Sequence, residues 1–206
     1  MAARGSERQR QAGGPPALPD PRLRAFLAVE ISADGRARLV ARAAELARLG
    51  AAVRWVREDA LHVTLKFLGA VRADTLVALR AALETPLAAV PPLDAVVRGL
   101  GVFPDWRRPR VVWAGVDCAP LTAVAAAVDA AAAPLGLARE TRPFTAHVTL
   151  GRVRATRGWA PLEAALRARA DEAFGNCPFT ALIALRSDLR PDGAVYTKLW
   201  SIPFGA

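Results

Sequence analysis

The tetrapeptide His-Val-Thr-Leu occurs twice, as His62–Leu65 and as His147–Leu150, and the chain's only two histidines open the two copies. Each copy sits in a stretch of strand-like alternation. From Leu61 to Phe67 the apolar residues fall at 61, 63, 65 and 67 and the polar ones at 62, 64 and 66, the period of a half-buried strand. Side chains two apart on a strand share a face. His62 and Thr64 therefore point one way, while Val63 and Leu65 point into a core. Ala146 to Leu150 repeats the pattern with His147 and Thr149. One such copy is ordinary surface-strand chemistry. Two copies, with no histidine elsewhere, predict a duplicated half-site. The matching fold is two similar α+β lobes facing each other.

Histidine gives or takes a proton near neutral pH. Two imidazoles across a cleft can divide acid–base work, one taking a proton from a nucleophile and the other protonating a leaving group. The threonine hydroxyls can donate to a charged oxygen held between them. A tetrahedral phosphodiester fits that arrangement, with two non-bridging oxygens for two donors. The rival use of paired histidines is a metal site. Catalytic zinc normally takes three protein ligands, and neither motif contains a third His, a cysteine pair or a carboxylate. Nucleophilic catalysis has weak support: Cys118 and Cys177 lie in no nucleophile context, and there is no Gly-x-Ser-x-Gly turn.

At these residues the sequence resembles the 2H phosphoesterases, a family defined by two His-x-Thr-x motifs. Within it, the sequence is most similar to the LigT-like RNA 2′,3′-cyclic phosphodiesterases, also called 2′-5′ RNA ligases. The likeness runs from about residue 23 to 203. It takes in Leu23–Val29, Leu61–Gly69, Pro109–Gly115, Arg142-Pro143-Phe144, the second motif through Arg152, Arg186-Ser187, Gly193 and Tyr196. It implies two pseudo-symmetric lobes, each an antiparallel sheet backed by helices, with a cleft between them. It implies hydrolysis of RNA 2′,3′-cyclic phosphate termini to 2′-phosphomonoesters, with no cofactor and no metal. His62 would be the proton donor to O3′ and His147 the acceptor that activates water. Thr64 and Thr149 would hold the non-bridging oxygens. Spacing does not tell donor from acceptor, since the two motifs are equivalent on paper. The alternatives are 2′-5′ ligation at the same site, and a non-catalytic binder of cyclic-phosphate ends.

Three further residues are expected to touch substrate. Lys66 alternates onto the face of His62. Phe103 opens the loop Phe103–Pro109, whose aromatic pair and two arginines are suited to stacking a base and holding a phosphate, or to covering a sheet edge. Arg152 lies where similar proteins carry a phosphate-binding arginine. Strict alternation puts it on the face opposite His147, unless a bulge at Gly151 turns it inward.

The remaining elements are predicted in order. A strand covers 23–31 and a helix capped by Ser32 covers 34–49, ending at Gly50. Strands follow at 53–57 and 61–68, then a helix at 73–84 broken at Pro86. Strands at 93–102 and 109–117 precede an Ala-rich helix at 120–134, too short to span a bilayer. A strand at 144–150, a helix at 160–172 and strands at 178–187 and 194–202 complete the chain. Residues 1–20, with Arg, Gln, Gly and Pro and almost no apolar content, are expected as a disordered basic tail, and residues 21–206 as one bilobal domain. The net charge of +9, from 28 Lys+Arg against 19 Asp+Glu, suits an anionic partner, although an Arg-rich coding bias gives the same sum. The expected partners are RNA termini or small cyclic nucleotides, with no membrane and no obligate protein partner. A monomer is expected, and a cytoplasmic one, from two cysteines and no signal segment.

Overall fold

A computed structural model describes residues 22–191 and 193–205. The expected tail at 1–20 lies outside the described residues. Strand β1 (Leu23–Glu30) leads through helix α1 (Ala33–Ala47) to the short β2 (Val53–Trp55) and to β3 (His62–Val71). Helix α2 (Ala73–Ala88) precedes the hairpin of β4 (Val96–Phe103) and β5 (Val111–Asp117). Helix α3 (Ala119–Ala132), β6 (His147–Val153), helix α4 (Trp159–Arg167) and β7 (Ala173–Asn176) follow. The hairpin of β8 (Ala181–Arg190) and β9 (Gly193–Pro203) ends the fold.

The strands form one curled antiparallel sheet in the order β7-β4-β5-β6-β3-β1-β8-β9, with β2 added beside β6. The motif strands β3 and β6 meet at its centre through a single register pair, Val63 with Val148. These are the second residues of the two tetrapeptides, so an approximate two-fold axis passes between them. On one side lie β3, β1, β8 and β9; on the other lie β6, β5, β4 and β7. The expected pair of lobes is therefore two halves of one sheet that share their motif strands. Both valines are fully buried, as are Leu27, Val29, Leu79 and Leu83 beneath them.

The helices pack against the sheet, α3 on β3, α1 on β7 and α4 on β4. Ser32 caps α1 by accepting from the Gly35 amide, leaving Gly50 beyond its end at φ 74°, a value that glycine adopts without a Cβ penalty. In α3 the buried residues are Leu121, Val124, Ala125, Val128 and Ala132, the spacing of one helix face. Several expected boundaries differ, among them two helix ends. Helix α2 runs through Pro86 to Ala88 because Leu83 and Leu87 are both fully buried, and a proline two residues from the end interrupts little. Helix α4 stops at Arg167, the rest of the segment expected to be helical turns at 168–171, and a strand that was not expected, β7, follows, pairing Val96 with Asn176 and Val97 with Gly175.

Candidate active site

Both motif strands carry the same irregularity. In β3, Ala28 pairs with Thr64 and Leu27 with Lys66, which leaves Leu65 without an opposite residue. In β6, Trp113 pairs with Thr149 and Val112 with Gly151, which leaves Leu150 unopposed. A bulge of one residue reverses the alternation beyond it. Leu65 and Lys66 are consequently both buried, and so are Leu150 and Gly151. The next residue on each strand, Phe67 and Arg152, emerges on the side of the histidines. Arg152 thus lines the cleft by way of a bulge at Leu150, one residue before the glycine where the sequence left one open. At Gly151 a Cβ would lie 2.6 Å from Val53 Cγ1 and 3.2 Å from Trp55 Cε3, so β2 can pass close only to a glycine.

Lys66 does not share the face of His62, because the bulge at Leu65 turns it inward. Its side chain is 1% exposed, and Nζ donates to Asp129 Oδ1 and to the Ala138 carbonyl, each at 2.6 Å. The bond from Lys66 holds the Asp129 carboxyl below its usual range. Lys66 ties β3 to α3 and is removed from any contact with substrate.

His147 Nδ1 donates to the Thr145 carbonyl at 2.7 Å. A carbonyl accepts only, so the neutral His147 ring carries its proton on Nδ1 and keeps a lone pair on Nε2. His62 Nε2 lies 3.1 Å from Thr64 Oγ1. Burial pushes both pKa values down. His62 falls from 6.5 to about 4, chiefly through desolvation, with further lowering from the charges of His147 and Arg152 and an opposing effect from Ala60. His147 is lowered by burial, against the bond to Thr145. Thr64 and Thr149 are half-buried beside their histidines.

Aromatic rings hold each imidazole. Phe26 lies 4.8 Å from His62 between centroids, and Tyr196 meets it edge-on at 5.2 Å. Phe103 meets His147 edge-on at 4.9 Å and leans on Trp113 at 5.2 Å. Phe103, expected to stack a base, is half-buried and packs on the second histidine. The other aromatic of its loop, Trp106, lies under the Arg167 guanidinium, 4.1 Å from its ring centroid, and packs against the core. Phe26 and Tyr196 were not singled out as site residues. Their signal is faint: Phe26, Ala28, Ile183 and Leu185 form a small second apolar cluster with Tyr196 against it. That cluster appears in sequence only as a β1 run too continuously apolar for one covered face.

Beside His62 opens a cleft of about 430 Å³ lined by Phe26, Phe67, Tyr196, Arg54 and Arg152, among others. Six arginines and no Asp or Glu line it among the described residues. No group of three or more His, Cys, Asp or Glu comes together among the described residues. No described helix is long and apolar enough to cross a membrane.

This arrangement has counterparts. The family model described as LigT like Phosphoesterase matches residues 29–113 and 116–185. An RNA 2′,3′-cyclic phosphodiesterase of Archaeoglobus fulgidus is 33% identical over 180 residues, covering 86% of this chain and 98% of the relative. One from Methanothermobacter thermautotrophicus is 30% identical over 179 residues, covering 86% and 97%. Among solved structures, TT0787 of Thermus thermophilus superposes with a TM-score of 0.76 at 29% identity, covering 88% of this chain and 98% of that one. Escherichia coli LigT complexed with 3′-AMP superposes with a TM-score of 0.69 at 26% identity, covering 89% and 98%.

Proposed function

The chain belongs to the LigT-like phosphoesterase family, and on that premise we propose that it opens RNA 2′,3′-cyclic phosphate termini to 2′-phosphomonoesters by two-histidine acid–base catalysis without a metal. The observation that carries this reading is the duplicated half-site: each histidine shares a half-buried face with its own threonine, on strands that meet at Val63 and Val148. His147 Nδ1 is bonded to the Thr145 carbonyl, which leaves its Nε2 for proton transfer. His147, neutral at pH 7, takes a proton from water as its oxygen bonds to phosphorus. The P–O3′ bond breaks on the opposite side, and His62 delivers a proton to O3′. Donation by His62 requires its protonated form, which burial disfavours in the free protein. The negative charge of a bound phosphodiester acts in the opposite direction and raises its pKa.

Thr64 and Thr149 donate to the two non-bridging oxygens. The Thr64 hydroxyl, which faces His62 Nε2 in the free protein, re-aims when phosphate enters. Arg152 contributes a fixed positive charge from the cleft that it lines with Phe26 and Tyr196. The aromatic contacts of Phe26, Tyr196 and Phe103 keep the imidazoles in orientation. The test is direct: incubation with adenosine 2′,3′-cyclic phosphate, with the product resolved as 2′- or 3′-monophosphate. Accumulation of the 2′-monophosphate is expected. The 3′-isomer would assign the wrong leaving oxygen, and absence of turnover would refute the reading.

A further inference from the structure

Residues opposite one another in an antiparallel pair share a face, and β2 places Arg54 directly opposite Arg152 on β6. Two like charges so placed repel. No described carboxylate pairs with either, whereas their neighbour Arg57 is bonded to Asp59. Arg54 is half-buried; its Nη2 is shielded from solvent and has no hydrogen-bond partner. The hairpin after β8 closes over that atom: a Cβ on Gly193 would lie 3.0 Å from it. Around it the cleft adds Arg154 and Arg190. A shielded guanidinium nitrogen without a protein partner, beside a second guanidinium, is suited to an anion, since the planar donor fork matches phosphate oxygens.

We infer that Arg54, with Arg152 beside it, forms a second phosphate subsite that takes the phosphate on O5′ of the terminal nucleotide. This rests on the phosphodiesterase reading above. A nucleotide whose 2′ and 3′ oxygens are closed in a ring has one other place for a phosphate, its O5′, and the rest of an RNA strand leaves through that atom. Arg54 stands one strand farther from the motif than Arg152, a step of about 4.8 Å, so the chain enters the cleft over β2 and the hairpin of β8 and β9. The preferred substrate is then an oligonucleotide end, or a nucleotide carrying a 5′-phosphate, and not a bare nucleoside cyclic phosphate.

The test compares kcat/KM for adenosine 2′,3′-cyclic phosphate with and without a 5′-phosphate. The phosphorylated form is expected to be better by on the order of tenfold or more, the scale of one charge-assisted contact, with the ratio shrinking as salt rises. Arg54→Gln should bring the ratio toward one, and Arg54→Lys, which keeps the charge without the fork, should leave part of it. A ratio near one in the unmodified protein, or a ratio undiminished in both variants, overturns the subsite. If neither nucleotide is opened, the phosphodiesterase reading fails by itself. Calorimetric titration of the same two nucleotides then decides the subsite by whether the 5′-phosphate tightens binding.

Discussion

The two half-sites begin as copies and end as opposites. Each has a His-Val-Thr-Leu strand, a bulge at its leucine, a buried residue after it and an imidazole whose pKa is lowered by burial. Past the bulge they diverge. The first half turns Phe67 outward, 61% exposed; the second turns Arg152. The first histidine is held by two rings, Phe26 and Tyr196, and falls to about 4; the second is held by Phe103. Duplication supplies two similar imidazoles, and residues outside the tetrapeptides make their surroundings unequal.

The most severe way to break this comparison is to remove one imidazole at a time. His62→Ala and His147→Ala should each lower the rate on the order of 10²–10⁴, and the double variant should lose much less than the product, because the pair acts as a unit. On a nitrophenyl ester, whose leaving group needs little protonation, His62→Ala should regain much of its rate and His147→Ala should not. The opposite pattern would exchange the roles.

Next in size is the residue that the first half buries. Lys66→Met breaks a buried ion pair and should destabilise the fold by about 3 kcal/mol, the lower end for such a loss, because Asp129 keeps the Glu140 amide at 3.1 Å and Arg139 at 3.8 Å. Urea melts measure this. Unchanged stability with a raised KM would return Lys66 to the substrate.

The inequality of the histidines should also appear in pH dependence. His62 is neutral in the folded protein down to about pH 4 but protonates below 6.5 in the unfolded chain. Between those values the unfolded state binds more protons, so stability falls as pH drops from 6.5 to 4 and levels off below. The loss is at most about 3 kcal/mol, and a His62→Phe variant should lack it. Because both histidine pKa values are lowered, kcat/KM should peak below pH 6.5, while the kcat optimum lies higher, where bound phosphate has raised them. Coincident optima would remove the phosphate's effect on the donor.

Thr64→Ala and Thr149→Ala should cost about 1.5–3 kcal/mol each in transition-state stabilisation, measured from kcat/KM. Smallest of all is the response to chelation: activity in excess EDTA should equal that without it. Loss of activity in EDTA, with recovery on adding zinc or manganese, would replace the metal-free scheme.

Much of this was readable along the chain, because alternation and turn chemistry are local. The faces of His62, Thr64, His147 and Thr149 followed from period-2 spacing, as did most strands. Lys66 was misassigned and Arg152 left open for one reason: parity holds only up to the next bulge. Whether Leu65 and Leu150 are bulged depends on β1 and β5, which lie far off in sequence. Arg54 went unnoticed because its meaning comes from its partner across β2 and β6. Strand β7 was missed because it exists only by pairing with β4.

The sheet order also bears on how the molecule is made. Strand β1 lies between β3 and β8, with Leu27, Ala28 and Val29 wholly buried. During synthesis β3 emerges soon after β1, but β8 begins only at Ala181, so one edge of an apolar strand waits unpaired while most of the chain is translated. Such an edge invites pairing with other nascent chains. The rings around His62 come from β1 and β9, the first and last strands to leave the ribosome. The surroundings of His147 draw on β4, β5 and β6 and can be complete earlier. His62 therefore acquires its surroundings last, so a nascent chain halted before β9 leaves cleft-side apolar surface exposed.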